Sequence, residues 1–549
     1  MSFCSSCGSS VSGTAKFCGN CGKPTSQGLT KNIDARLTEA HGHGATLSGD
    51  IASEISRTIF IAPTSFLNTI ESLLSGAGVT PFAIVGAIGG AEDVRQKVLS
   101  KIKLAPRGVA RYVCIIGNWD EVPPFKVPAP VPSSPWDPDE FCFSDSMYGC
   151  FEQYSQADIS SALPDLYVGR IPSISAEVVK NVLFAKLDQQ DVKTSFSFAV
   201  SAEKWVVATQ TVVDQFMGQS DSVGLKGSPN SEAIADPSLL LCPQWHEAAL
   251  KGAITAGNIK SNGVLLFNVH GGADEPHWVG ESRNGDSCPK IFDQNTIVDF
   301  NSSLIVTEAC YGGALGYSTG SIAESFFESN GLSYVGSSTI AYGEPASDEI
   351  FAADIIALHY LQQLSKGLSA GESLNHAKQE VLMQMDPVSQ FETKKTILSF
   401  NLFGAPWYRR RRSSSVASIE PSVTRNTSIV DEIRNRSAII NSGNNDILQE
   451  IRSRYRASLS SSNKQYFLDS QEARDKLRRF TDSSKINDLL IDWTGDADNY
   501  TLQYLSNGDN DGYSLYSDAS EAGGSKNILV LYLDAVGKLK RVLTSKGML

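Results

Sequence analysis

From Thr58 the chain alternates short apolar runs with amphipathic stretches. TIFIAP reads as a strand, SFLNTIESLLSGAG as a helix with a glycine stop, FAIVGAI as a strand, EDVRQKVLSKI as a helix and RYVCIIG as a strand. Apolar runs of roughly four to eight residues bounded by turn residues mark buried strands, and a period of about 3.6 marks the helices between them. Such a βαβαβ series predicts a parallel sheet covered by helices. After a proline-rich stretch at 120–140 and the helical pattern AEVVKNVLFAKLDQQ, a second series starts at FSFAVSA. It runs through GVLLFNVHGG, SSLIVTEACYGG and LSYVGSSTIAYG, then helical patterns at 347–365 and 370–384, and ends at ILSFNLFGAPW.

RRRRSSSVASIEPSVTRNTS then breaks all periodicity, as linkers and exposed loops do. Beyond it, SIVDEIRNRSAII, DILQEIRSRY and residues 471–480 have helical spacing, and NILVLYLDAVGKLKRVLTS predicts a hairpin. The fold class expected is α/β with two successive parallel-sheet subdomains, at 51–185 and 186–408, and a small α+β module at 429–549. A linker at 409–428 separates them, and residues 1–28 and 29–50 form a distinct N-terminal region.

Composition narrows this reading. With 549 residues, 41% hydrophobic and 19% charged, the chain is globular and large enough for several domains. A net charge of −13 weighs against nucleic acid as the main partner, because phosphate binding uses clustered positive charge. The first residues, MSFCSSCGSS, lack the basic start and apolar core of a secretion signal. No apolar run approaches the roughly 20 residues that span a bilayer. A cytoplasmic protein is expected, in which ten cysteines imply metal ligation or catalysis rather than a disulfide framework.

Four of those cysteines form two CxxC knuckles, Cys4 with Cys7 and Cys18 with Cys21, each followed by a glycine that permits the tight turn. Four thiolates at this spacing hold one zinc ion tetrahedrally, so residues 1–28 read as a zinc ribbon. A closed thiolate shell leaves no open position for substrate, which makes the zinc structural. Residues 29–50, rich in Gly, Ser and Thr and containing His41 and His43, read as a flexible linker.

The candidate chemistry lies at two strand ends in the second series. One apolar run stops at His270–Gly271, the other at Cys310 followed by Gly312. If the two strands are neighbours in a parallel sheet, both tips lie at one carboxyl edge, where open α/β sheets place their sites. A thiol and an imidazole there make a nucleophile and its base. The backbone N–H groups of Gly271 and Cys310 are candidate donors to the oxyanion of a tetrahedral intermediate.

These two blocks resemble the His-Gly and Ala-Cys boxes of the caspase–legumain–gingipain clan. YVCIIGNWDEVPP, FSDSMYG, LPDLYVGRIPS, YVGSSTIAYG and NLFGAPW resemble, in order, segments of gingipain-type cysteine peptidases, over roughly residues 55–410. The resemblance implies a caspase-like second subdomain in which Cys310 is the nucleophile and His270 the base. It also implies a carboxylate behind the histidine, for which Asp145 is the best match; Arg170 reads as a buried ion-pair partner. In the legumain branch an acid near the cysteine lines the specificity pocket. Glu308 and Cys310, two apart on a strand, would point to one side, and Asp274 and Glu275 would add negative potential, so a basic substrate residue is expected.

The function implied is a regulated cytoplasmic cysteine endopeptidase acting on protein substrates. Its regulatory partner would bind through the zinc ribbon or the C-terminal module. The competing reading is an inactive peptidase-fold scaffold that recruits partners through the ribbon.

Overall fold

The computed structural model describes residues 49–411 and 464–548, apart from 104–108, 131–136, 157, 186–187, 219–223, 227–237, 260–262, 274–275, 284, 297–303, 317–319, 345–349, 386–389, 469, 495–499, 507–510, 521–525 and 546. Before residue 49 it describes only Ser2–Phe3 and Ser10–Val11, which pair antiparallel. The four ribbon cysteines, His41, His43, Asp274, Glu275, SIVDEIRNRSAII and DILQEIRSRY therefore lie outside the described residues. The chain divides into two compact units, Met1–Asp50 and Ile51–Leu549. Every element below belongs to the second.

An eleven-stranded sheet runs through that unit. From one edge its strands are Gly224–Lys226, Ser238–Cys242, Phe196–Ala202, Val264–Asn268, Leu304–Thr307, Ser333–Ser337, Phe400–Gly404, Tyr167–Ile171, Tyr112–Ile116, Thr58–Pro63 and Ala83–Ala87. Every neighbouring pair is parallel except Ser333–Ser337 with Phe400–Gly404. The inner strands are buried along their whole length, which is why they read as continuous apolar runs rather than alternating ones.

The expected pair of successive subdomains is thus one continuous sheet. Its two halves meet where Phe403 pairs with Arg170. The Phe400–Gly404 strand inserts between the halves and leaves neither with an open inner edge, the arrangement that avoids unpaired backbone groups. Helices Ala353–Ser365, Ala370–Met383 and Gln390–Ser399 are buried over most of their lengths.

The arginine run is not an open linker from residue 409. Arg409 Nη2 lies 2.7 Å from Glu54 Oε1 and donates to the Tyr112 hydroxyl at 3.2 Å. Arg410 is buried and donates to Ser195 Oγ and to the Tyr408 hydroxyl. Arg410 and Arg411 also pair with Asp188 and Asp191 as a short parallel ribbon. Arg412 and the rest of the expected linker lie outside the described residues.

Toward the C-terminus, Lys464–Phe467, Thr501–Ser506, Asp511–Ser520, Lys526–Asp534 and Leu539–Ser545 form an antiparallel meander, with helices Ser470–Leu477 and Ser483–Thr494 against it. The hairpin expected over NILVLYLDAVGKLKRVLTS is its last turn. Side-chain alternation splits the Lys526–Asp534 strand cleanly. Leu529, Leu531 and Leu533 pack with Leu477, Ile486 and Leu490 of the two helices and with Phe480 between them. Ile528, Val530 and Tyr532 join the core of the main sheet. No helix among the described residues is long and apolar enough to cross a membrane.

Candidate active site

The Val264–Asn268 and Leu304–Thr307 strands are parallel neighbours, so their carboxyl tips lie side by side. After Asn268 the chain leaves the main sheet. His270–Gly272 pairs antiparallel with His277–Val279, His270 opposite Val279 and Gly271 opposite Trp278. His270 is buried, and its Nε2 lies 2.7 Å from Glu281 Oε2. An ionised carboxylate only accepts, so Nε2 is the donor of this pair, and in the neutral ring that leaves the lone pair on Nδ1. Nδ1 is buried and has no hydrogen-bond partner among the described residues. The Trp205 ring fixes one face of the imidazole, with centroids 4.4 Å apart. Glu281, fully buried, binds Lys204 Nζ at 2.7 Å through its other oxygen, giving a Lys204–Glu281–His270 chain.

The cysteine tip is a strained turn. The strand ends at Thr307, and Tyr311 adopts φ +55°, the left-handed region that non-glycine residues avoid. Hydrogen bonds from the Tyr311 N–H to Thr339 O and from the Gly313 N–H to Ser337 O hold it. Cys310 is buried, and its Sγ accepts the Ala341 N–H at 3.1 Å. Burial pushes the thiol pKa well up and the Ala341 N–H only partly opposes this, so the resting group is the protonated thiol. Among the described residues, the Cys310 N–H meets no acceptor. The two tips touch through their backbones: a Cβ on Gly271 would overlap the Cys310 carbonyl oxygen, so only glycine fits there.

A small cavity, open to solvent on one side, lies beside this junction, lined by Gly271, Pro276, Trp278, Cys310, Tyr311 and Ile322 among others. Its enclosed space is far smaller than the roughly 300–1,000 Å³ typical of ligand pockets, so a substrate residue needs a wall to move. A buried ionic cluster braces the far side of the cysteine turn. Lys395 Nζ lies 2.6 Å from Asp137 Oδ2 and 2.7 Å from Asp139 Oδ2. Asp139 accepts from the Tyr311 hydroxyl at 2.8 Å and the Ile340 N–H at 2.9 Å. It therefore ties together the two segments that flank the sulfur.

Asp145 does not stand behind the histidine. Arg170, fully buried, takes both its oxygens, Nε to Oδ2 at 2.7 Å and Nη2 to Oδ1 at 2.6 Å. The remaining Arg170 Nη1 donates to the carbonyls of Gly117, Asn118 and Val122. A bidentate fork of this kind makes Arg170 the partner of both carboxylate oxygens, while His270 Nε2 is bound to Glu281 instead. The histidine's carboxylate is Glu281, brought back by the His277–Val279 strand. Its signal was the segment HGGADEPHWVGE, whose two short strands pair antiparallel and return Glu281 to the level of His270.

Glu308 lies beyond the strand on which it was expected. The strand stops at Thr307, so the alternation argument does not extend to Glu308 and Cys310; Glu308 is fully buried and is not among the residues that line the cavity. Lys204, Trp205, Glu281, Ala341 and the Asp137–Asp139–Lys395 cluster all border the site, and none of them lies in a motif that marks a peptidase by itself.

Residues 91–410 match peptidase family C25. Among solved structures the chain is similar to the Arg-specific cysteine proteinase gingipain R (RGPB), at 11% identity and a TM-score of 0.45, over 90% of this chain and 98% of that one. It is similar to the complex of Porphyromonas gingivalis RgpB pro- and mature domains, at 11% identity and a TM-score of 0.43, over 90% of this chain and 99% of that one. A third structure, described only as a protease, matches at 12% identity and a TM-score of 0.42, over 92% of this chain and 99% of that one. The comparison with curated proteins gives no match.

Proposed function

The chain belongs to peptidase family C25 and is a cysteine endopeptidase, and we propose that Cys310 is its nucleophile and His270 its base. The observation that carries this is the contact between His270 Nε2 and Glu281. Glu281 holds the Nε2 proton, so the Nδ1 lone pair is free on the ring whose own strand, through Gly271, abuts the Cys310 backbone. Nδ1 takes the thiol proton, and the thiolate sulfur attacks the peptide carbonyl carbon. The N–H groups of Cys310 and Gly271 stabilise the oxyanion. The imidazolium then returns its proton to the leaving amine, and water hydrolyses the thioester by the reverse sequence.

The activity is restrained and cytoplasmic in this reading. The protonated, buried thiol and the narrow cavity support restraint, since neither suits immediate turnover. A preference for a basic residue before the scissile bond rests on Asp274 and Glu275, which in sequence join two cavity-lining positions, Gly272 and Pro276, rather than on Glu308. The zinc ribbon at Cys4, Cys7, Cys18 and Cys21 serves as a structural, partner-binding element.

A peptide library digested by the wild type, Cys310→Ala and His270→Ala tests the assignment. Both variants should melt like the wild type and lose cleavage, and Lys or Arg should dominate the position before the cut. Wild-type turnover by Cys310→Ala would refute the nucleophile. A preference for acidic or small residues would refute the basic pocket.

A further inference from the structure

The edge of the His270–Gly272 strand is not open. One side pairs with His277–Val279; on the other, Gly271 pairs parallel with Gly547 and Gly272 with Met548. The same C-terminal stretch meets the site at two more points. Thr544 and Ser545 pair antiparallel with Gly343 and Tyr342, immediately after Ala341, whose N–H holds the Cys310 sulfur. Thr544 Oγ1 accepts the indole N–H of Trp205 at 3.1 Å, and that ring packs on His270. One short stretch thus borders the cysteine side, the histidine side and the free edge between them.

A sheet edge recognises an extended peptide through main-chain hydrogen bonds, whatever the side chains. Adjacent strands lie about 4.8 Å apart. Gly271 lies against the Cys310 carbonyl, so any main chain paired on its edge runs past the Cys310–His270 pair. While Gly547 and Met548 occupy that edge, no substrate can.

The occupying strand is two residues long, far below the mean of roughly five to six. It can leave without unfolding its parent sheet, because Leu529, Leu531 and Leu533 anchor the neighbouring hairpin strand in a separate core.

We infer that the Gly271–Gly272 edge is a main-chain track for the peptide substrate, and that the chain's own Gly547–Met548 segment holds it shut until displaced. This rests on reading Cys310 and His270 as the catalytic pair. The latent enzyme is then a population largely closed by its own strand, and apparent activity scales with the open fraction.

Two variants of the full chain test it: Gly547→Pro with Met548→Pro, which removes both amide donors, and a chain ending at Ser545. Each should raise kcat/KM on a Cys310-dependent peptide by about tenfold or more, with an unchanged melting temperature. Unchanged or lowered kcat/KM in folded variants overturns the gate. If Cys310→Ala is still inactive in that case, the catalytic assignment stands. Cleavage that survives Cys310→Ala overturns both. Hydrogen exchange on the wild type gives a readout that depends on no variant. Labelling Cys310 with an electrophilic peptide should speed exchange at the Gly547 and Met548 amides, and no change there sinks the proposal.

Discussion

His270 and Glu281 meet at 2.7 Å with both side chains buried, across a ribbon in which His270 faces Val279. With a carboxylate as partner Nε2 is the donor, which in the neutral ring leaves Nδ1 as the nitrogen able to accept a proton. Glu281→Gln should keep the shape and lose the charge, letting the ring adopt the wrong tautomer or tilt. Initial-rate kinetics should show kcat down on the order of 10²–10⁴, with KM little changed. An undiminished kcat would remove Glu281 from the mechanism.

Asp145 should behave in the opposite way. Its carboxylate is spent on Arg170, which is fully buried. Asp145→Asn leaves a buried guanidinium without its counter-charge, a change that costs about 3–5 kcal/mol. Denaturant unfolding should show that loss, while the protein that remains folded keeps its kcat. A large fall in kcat at unchanged stability would restore Asp145 to the active site.

Gly271→Ala should disable the site without touching either reactive side chain. The added methyl would overlap the Cys310 carbonyl oxygen, and backbone rather than a flexible side chain is what it meets. Relief requires the two tips to separate. Overpacking of this kind costs about 1–3 kcal/mol, but the loss of oxyanion donors should cut kcat by about 10²–10³. Kinetics and melting curves measured together separate the two effects.

The large sheet and the two adjoining strand tips were legible because both are written locally. Buried parallel strands are apolar throughout, and a strand that ends in His-Gly or Ala-Cys-x-Gly announces a polar, close-packed tip. The union of two series into one sheet was not legible. It depends on Phe400–Gly404 inserting beside Tyr167–Ile171, a pairing separated by more than two hundred residues. Glu281 was missed for a related reason: its reach to His270 comes from the antiparallel pairing of His270–Gly272 with His277–Val279, and a carboxylate just past so short a strand reads as solvated. Asp145 misled because a short motif fixes a residue's identity but not its partner, and Arg170, twenty-five residues on, competes for it.

The ribbon cysteines make their own demand. Protein purified without chelator should carry one zinc per chain, and Cys4→Ser with Cys18→Ser should remove it, because each substitution takes one thiolate from a four-ligand shell. Elemental analysis decides this. Peptide cleavage should persist in the double variant, since a closed structural site contributes folding of its own segment rather than chemistry. Absence of zinc from the wild type would refute the ribbon.

A last expectation concerns pH. Lys378 is fully buried, donates to Ser146 Oγ at 2.8 Å, and has its pKa pulled down to about 7 by burial, with Cys150 and Asp145 opposing only in part. Unfolded, the same amine titrates near 10.4. Between those values the unfolded chain binds the proton and the folded chain does not, so stability rises with pH, by at most about 1.4 kcal/mol per unit. Below pH 7 both states are protonated and the full penalty of burying the charge applies. The buried thiols of Cys114, Cys142, Cys242 and Cys310, whose pKa values burial raises, work the other way once unfolded thiols ionise near 8.5. The clean window is therefore about pH 7 to 8.5. Lys378→Met, which fills a similar volume without a charge, should stabilise the protein most at pH 7 and progressively less toward pH 8.5. The difference between variant and wild type cancels the thiol contribution. A stability difference that stays flat across that window would mean Lys378 is already charged in the fold.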